Sequence, residues 1–165
     1  MCGIFFAKSI GGTNIINSLN IEKIYDIHRD RGPDEKNHIL SEDWMMVHTR
    51  LSITSPDQGQ QPIFNKNKNA YMIFNGEIYN YQSLANEFNI LDDNDFSDTD
   101  ILFKLINKIG FYSAIEKLRG MFAIVFYDLI NKKIYTARDH FGQKPLWIYE
   151  DKNTIAFSST IKALV

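Results

Sequence analysis

The chain has 165 residues, of which 44% are hydrophobic and 23% are charged, with a formal net charge of -2 and an isoelectric point near 6.1. This length suits one domain with a substantial core, and the scattered basic residues argue against nucleic-acid binding. No apolar run reaches the roughly 18 residues of a membrane span, no signal peptide opens the chain and the single cysteine excludes an internal disulfide, so we expect a cytoplasmic protein without a membrane partner.

Runs rich in β-branched and aromatic residues predict strands, and apolar side chains at helical spacing predict helices. In chain order we expect a strand at 3–7, a helix at 15–28, strands at 44–48 and 70–74, helices at 81–88 and 112–118, and strands at 121–127, 133–137, 145–149 and 154–157. Between these two later helices, Ser97 or Asp98 is expected to cap a further helix, which Gly110 ends and whose inner face carries Ile101, Leu102, Leu105, Ile106 and Ile109.

The arrangement of these elements predicts an α+β fold. The Asn131-Lys132 dipeptide between two apolar runs is typical of a hairpin turn, which favours antiparallel pairing. The helices cluster between strands and do not alternate with them, as expected for antiparallel sheets covered by helices. Since no repeat or low-complexity linker divides the sequence, residues 1–165 are expected to form a single domain.

Cys2, the only cysteine, directly follows the initiator Met1, whose removal would leave a thiol and a free α-amine on one residue. An α-amine titrates near 7.7 to 8.0 and a thiol near 8.5, so some neutral amine is available at pH 7 to accept the thiol proton. Cys2 is therefore a candidate nucleophile that carries its own base. Two alternatives remain open: a small buried apolar residue, or a cysteine paired in the fold with one of the four histidines.

Seven motifs follow Cys2 along the chain. They are RGPD at 31–34, HTRLSI at 48–53, QPI at 61–63, NGEIYN at 75–80, SDTD at 97–100, LRGMFA at 118–123 and ARDHFGQKPL at 137–146. Each is weak alone. In this order behind MCGI at the amino terminus, they resemble the class II glutamine amidotransferases over the whole chain, and most closely the glutaminase domain of glutamine-hydrolysing asparagine synthetase.

This resemblance implies an N-terminal-nucleophile hydrolase fold, a four-layer α-β-β-α sandwich of antiparallel sheets. It also implies an enzyme. The Cys2 thiolate would attack the side-chain amide carbon of glutamine, ammonia would leave, and water would release glutamate from a thioester. Both steps pass through an oxyanion, for which the resemblance assigns the Asn75 side chain and the Gly76 backbone N–H as donors.

The resemblance also assigns the groups that recognise glutamine. Arg50 is the implied partner of the α-carboxylate, and Asp98, with Glu77 nearby, is the implied partner of the α-ammonium. The segment after Arg50 is placed beside the substrate through Leu51, Ser52, Ile53 and Thr54.

Taken from the residues alone, each of these positions has another interpretation. Asn75-Gly76 is also typical of a hairpin turn, Arg50 of a surface ion pair, and Asp98 of a helix N-cap.

The resemblance implies no cofactor in this chain, because ATP and Mg belong to a synthetase domain whose SGGxDS-type loop the sequence lacks. No Cys-x-x-Cys pair or closely spaced histidines predict a metal site. The implied partners are L-glutamine and a synthetase domain or subunit that receives the ammonia. Two other functions remain open: a non-catalytic binding or assembly module, and a glutaminase for a different acceptor in amino sugar or nucleotide synthesis. The oligomeric state is left undetermined.

Overall fold

A computed structural model describes residues 1–51, 59–90 and 97–165. Its strands are β1 (Gly3–Ser9), β2 (Glu35–Leu40), β3 (Trp44–Arg50), β4 (Ile63–Phe64), β5 (Ala70–Ile78), β6 (Gly120–Asp128), β7 (Lys133–Arg138), β8 (Trp147–Glu150) and β9 (Thr154–Ser158). Its α-helices are α1 (Ile21–His28), α2 (Tyr81–Glu87), α3 (Asp98–Ile109) and α4 (Phe111–Lys117), and short 3-10 turns lie at Ile16–Ser18 and Ile161–Ala163.

The strands form two antiparallel sheets. One has five strands in the order β2-β3-β1-β9-β8, and the other has four in the order β4-β5-β6-β7. In the first sheet Gly3 lies opposite Thr49, so the start of β1 and the end of β3 meet at one edge. In the second sheet Ile78 lies opposite Gly120, which brings the end of β5 to the start of β6.

Three separate apolar clusters show how the layers stack. The first joins α1 to one face of the five-stranded sheet. The second fills the space between the two sheets with aromatic rings, and the third packs α2, α3 and α4 on the outer face of the four-stranded sheet. The order is therefore helix, sheet, sheet, helices. This confirms the predicted α+β sandwich of antiparallel sheets.

The alternation of side chains along a strand decides which residues enter the space between the sheets. On β1, Ile4 and Phe6 face the other sheet, whereas Phe5 and Ala7 face α1. On β3, Trp44 and Met46 face the other sheet, and the same period carries His48 and Arg50 into this space at the end of the strand.

The predicted helix at 15–28 is wrong in its first half. A 3-10 turn at Ile16–Ser18 is followed by extended backbone at Leu19, and Asn20, with φ -95° and ψ 105°, begins α1. The Asn20 side chain accepts a hydrogen bond from the Lys23 backbone N–H. A local cap therefore overrides the helical spacing of the apolar residues before it.

Asp139 organises the turn after β7. Its carboxylate is 5% exposed and accepts backbone N–H groups at 3.0 to 3.2 Å, which are those of Phe122, Phe141, Gln143 and Lys144. Burial raises the pKa of Asp139, but these donors outweigh it and hold the pKa below its ordinary value. One side chain thus ties the turn to β6.

We expect Asp139→Ala to lower the free energy of unfolding by about 2 to 4 kcal/mol, because several buried N–H groups lose a charged acceptor. Since the folded-state pKa is lowered, this stabilisation is present above the unfolded pKa of about 3.9 and is lost as the pH falls towards the folded value. Urea unfolding at pH 7 and pH 3 measures both effects. Asp151→Ala, in an exposed turn, is the control, and equal losses in the two variants would contradict the assignment.

Candidate active site

A cavity of about 420 Å³ opens at the end of the space between the sheets. It lies where β1 and β6 begin and where β3 and β5 end, and the start of α3 closes one side. Its wall brings together seven of the residues assigned from the sequence, namely Cys2, Arg50, Leu51, Asn75, Gly76, Glu77 and Asp98. The other three, Ser52, Ile53 and Thr54, lie outside the described residues.

Cys2 is partly exposed and lines this cavity just before β1 begins. Arg31 holds it from the α1–β2 connection by donating an Nε–H bond to the Cys2 carbonyl at 3.3 Å. The next residue must be glycine, since a Cβ at Gly3 would lie 2.5 Å from Thr49 and 2.7 Å from His28. The thiol is therefore not a buried apolar side chain but a group at the wall of a cavity.

Asn75 carries a buried amide with an unused donor. It is 1% exposed, and its Nδ2 makes no hydrogen bond to any residue in the described part of the chain. On β5 it shares the period of Tyr71 and Ile73, which face the space between the sheets, so its side chain is directed to the same side as the cavity. A buried N–H without an acceptor is costly, and such a group in a cavity is available to a ligand oxygen.

Gly76 lies on β5 at a point where no strand within the described ranges pairs with the outer side of β5. The backbone N–H groups of Phe74 and Ile78 donate away from β6, to Gln61 Oε1 at 2.6 Å and Asp98 Oδ2 at 2.9 Å. Because N–H direction alternates along a strand, the Gly76 N–H is directed to the same side, between these two bonds.

Glycine at position 76 is also required by crowding. A Cβ there would lie 2.1 Å from the Met121 carbonyl oxygen of the neighbouring strand. Asn75-Gly76 is therefore part of a continuous strand and not the hairpin turn that the dipeptide also predicts.

Arg50 is a buried cation at the cavity wall. Its side chain is 11% exposed, and Nη1 donates to Glu35 Oε1 at 2.7 Å across the β2–β3 pair. The pair is therefore not the solvent-exposed ion pair considered from the sequence. Burial and the Glu35 carboxylate fix the guanidinium in one orientation.

Asp98 is the first residue of α3, and the N-cap is Ser97, whose Oγ accepts the Asp100 backbone N–H at 3.2 Å. The Asp98 side chain instead accepts the Ile78 N–H. Burial raises the pKa of Asp98, and Glu77 and Asp100 add to the effect, whereas N–H donors of Ile78 and Thr99 oppose it. A cation in the cavity would stabilise this carboxylate.

The histidines differ in their partners. His28 bonds through Nδ1 to the Ile24 carbonyl and through Nε2 to the Ser158 hydroxyl, and His38 bonds to the Tyr25 hydroxyl. His48 lines the cavity and is 1% exposed. Burial and the Arg50 charge lower the pKa of His48 to about 3, against the opposing effect of a hydrogen bond to the Phe74 backbone, so the ring is neutral at pH 7.

The cavity wall also includes polar side chains that were not assigned from the sequence, among them His48, Gln61 and Lys144. His48 lies two positions before Arg50, and the period of β3 was the signal that places both on one face. Gln61 and Lys144 belong to the motifs at 61–63 and 137–146, but their contacts depend on the fold.

In residues 1–51, 59–90 and 97–165, no three side chains of the metal-binding types converge. Within the same ranges no helix is long and apolar enough to cross a membrane.

A profile of the glutamine amidotransferase domain matches residues 1–165. The chain is 38% identical over 174 residues to a probable glutamine-hydrolysing asparagine synthetase of Acanthamoeba polyphaga mimivirus, covering 99% of this chain and 30% of that protein. It is 32% identical over 169 residues to asparagine synthetase B of Escherichia coli, covering 100% of this chain and 30% of that protein. The chain thus spans about 30% of the length of these relatives.

A solved structure shares the fold. It is the glutamine phosphoribosylpyrophosphate amidotransferase of Bacillus subtilis, with a TM-score of 0.68 and 16% sequence identity, covering 99% of this chain and 43% of that one.

Proposed function

The chain belongs to the glutamine amidotransferase domain family, and from this premise we propose that it hydrolyses the side-chain amide of glutamine to glutamate and ammonia through a Cys2 thioester. The observation that supports this most directly is the unpartnered Nδ2 of Asn75 in the cavity that Cys2 lines. It is a preorganised donor that lacks an acceptor until charge develops on a bound amide oxygen.

In the proposed mechanism, removal of Met1 exposes the α-amine of Cys2. This amine accepts the thiol proton while the sulfur attacks the amide carbon of glutamine. The oxyanion that forms accepts hydrogen bonds from Asn75 Nδ2 and the Gly76 N–H. Transfer of the proton to the leaving nitrogen releases ammonia and leaves a thioester, and water then attacks the thioester through a second oxyanion to give glutamate.

Recognition of glutamine is proposed to use the charges at the other end of the substrate. Arg50 would bind the α-carboxylate, and Asp98 and Glu77 would bind the α-ammonium. The half-buried Asp98 and the exposed Glu77 both lie on the cavity wall, so a substrate ammonium would meet two carboxylates. Leu51 flanks this end, and we also assign Ser52, Ile53 and Thr54 to it on the basis of the family pattern.

An ammonia-release assay with L-glutamine tests the function. Intact-mass measurement shows what fraction of the preparation has lost Met1, and we expect turnover in proportion to that fraction. Turnover by protein that retains Met1 in full would exclude the proposed base.

Arg50→Lys is expected to raise KM for glutamine by about 10- to 100-fold, because a charged hydrogen-bond pair of about 1.5 to 3 kcal/mol is lost and lysine cannot bind a carboxylate in the same planar geometry. Steady-state kinetics of ammonia release measure the effect. Arg29→Lys is the matched control, since Arg29 lies on the surface beside Asp26. An unchanged KM in Arg50→Lys would remove Arg50 from the substrate site.

We further propose that the ammonia serves asparagine synthesis from aspartate and ATP in a cytoplasmic synthetase, because both sequence relatives described above carry that name. Adding the protein and glutamine to a synthetase that lacks glutaminase activity should support asparagine formation. Ammonia release without asparagine formation would favour another acceptor. A folded protein that binds glutamine without releasing ammonia would favour the non-catalytic alternative.

A further inference from the structure

Lys144, in the turn after β7, places a cation at the cavity. It is 7% exposed and lines the cavity with Cys2. Among the residues that the structure describes, its ammonium forms neither an ion pair nor a side-chain hydrogen bond. Its ammonium is therefore available to act on groups that share the cavity wall. The mechanism proposed above does not use it.

The turn that holds Lys144 leaves its ammonium available. The nearby Asp139 carboxylate is occupied by backbone N–H groups, including the Lys144 N–H at 3.2 Å. Arg138 fixes the same turn by donating to the Lys144 carbonyl at 2.9 Å and to the Gly142 carbonyl at 2.9 Å. The backbone of Lys144 is therefore anchored on both sides, while its side chain extends along the cavity wall.

The charge of Lys144 acts on the amino terminus. Burial lowers the pKa of the Met1 α-amine, and Lys144 and Arg31 lower it further, whereas Cys2 and Asp34 oppose them. The Met1 amine is one residue from the position that the Cys2 amine would take. Met1, Cys2 and Lys144 also line the same cavity, so the fold itself brings this lysine to the first residues of the chain.

Other charged and titratable groups surround the cavity. They are Asp34 after α1, His48 and Arg50 on β3, Glu77 on β5, Tyr81 on α2 and Asp98 on α3. The negative charges of Glu77 and Asp98 partly offset the positive charge of Lys144. Glu35 partly offsets the charge of Arg50 through their ion pair, and His48 is neutral at pH 7. Lys144 and Arg31 remain as the cations that act directly on the amino terminus.

We propose that Lys144 is a positioning residue that acts through Cys2: its ammonium favours loss of the protons carried by the amine and the thiol of the first residue. A neighbouring positive charge destabilises a protonated amine and stabilises a thiolate, so both groups become competent at lower pH. This inference rests on the proposed role of Cys2 as the amino-terminal nucleophile. It adds a residue whose charge extends the reactivity of Cys2 to lower pH.

The test is the rate of alkylation of Cys2 by iodoacetamide between pH 5.5 and 9.5, in protein whose Met1 has been removed. The thiolate displaces iodide from a neutral reagent, and the chain has no other cysteine, so the rate reports one sulfur. In Lys144→Met we expect the midpoint of the rate profile to rise by about 0.5 to 1 pH unit, with rates about 3- to 10-fold lower below the midpoint.

Two further variants separate charge from structure. Lys144→Arg keeps the charge and should restore the midpoint, whereas Lys144→Gln should shift it as Lys144→Met does. Lys152→Met removes the same charge from the exposed β8–β9 turn, at the far end of β1 from Cys2, and should leave the profile unchanged. A midpoint in Lys144→Met equal to that of Lys152→Met would overturn the inference, as would a uniform loss of rate at every pH.

The acid limb of kcat/KM for glutamine should shift in the same direction in Lys144→Met. The two measurements distinguish a failure of the proposed function from a failure of the proposed role of Lys144. If no variant hydrolyses glutamine but the alkylation midpoint still depends on the charge at position 144, the proposed function fails and the role of Lys144 stands. If hydrolysis depends on Cys2 but neither profile shifts, the role of Lys144 fails alone.

Discussion

Cys2→Ala is expected to lower kcat/KM for glutamine hydrolysis by about 10³-fold or more, because the thioester route is lost completely. The cavity and its charged groups remain, so the variant should still bind glutamine. Ammonia release under saturating glutamine measures the loss, and calorimetric titration with glutamine measures the retained binding. Turnover within about tenfold of the unaltered protein would exclude a covalent role for the sulfur.

Cys2→Ser is the matched comparison for this variant. It keeps the α-amine and a nucleophilic oxygen of similar size, so a small residual activity that depends on Met1 removal is expected. The intact mass of each preparation identifies the fraction that begins at residue 2. Equal activities of the serine and alanine variants would show that the remaining turnover comes from the cavity and not from residue 2.

Asn75→Ala is expected to lower kcat by about 10² to 10³-fold with little change in KM, since one oxyanion donor contributes about 2.7 to 4 kcal/mol to the transition state. The unpartnered Nδ2 makes this position a sharp test, because the substitution breaks no hydrogen bond of that donor within the protein. Steady-state kinetics separate the two constants. The alkylation rate of Cys2 should remain unchanged.

Asn131→Ala is the control, because Asn131 lies in the β6–β7 turn, far from the start of β6 where the cavity opens. An Asn75→Ala protein that keeps more than about a third of kcat would argue against the donor role. A rise in KM without a fall in kcat would move Asn75 to ground-state binding of glutamine.

The sequence predicted seven of the nine strands that the structure describes, and the clearest signal came from strands buried on both faces. β3, β5 and β6 carry almost continuous apolar residues, and the predicted strands at 44–48, 70–74 and 121–127 lie within them. β2 was missed because Glu35–Leu40 is an edge strand with alternating exposure and contains lysine, asparagine and glutamate. β4 was missed because two residues carry no periodic signal.

The residues of the candidate site were likewise predicted only in part. The motifs pointed to Cys2, Asn75 and Asp98, and the fold places all three on one cavity. The period of β3 places His48 on the same face as Arg50, but Lys144 was missed because its position at the cavity depends on the turn after β7. The contacts that bring this turn to the cavity come from residues distant in the sequence, so no local pattern predicts them.

β4 ends the second sheet after only two paired residues, Ile63 and Phe64, opposite Met72 and Tyr71. If this strand began a few residues earlier, its main chain would run beside Gly76 and take up the amide hydrogen that faces the cavity. The proposed oxyanion donor at Gly76 thus depends on a strand pairing that stops short. On the proposed mechanism, an insertion or redesign that extended this pairing would give a better-paired sheet and slower hydrolysis of glutamine.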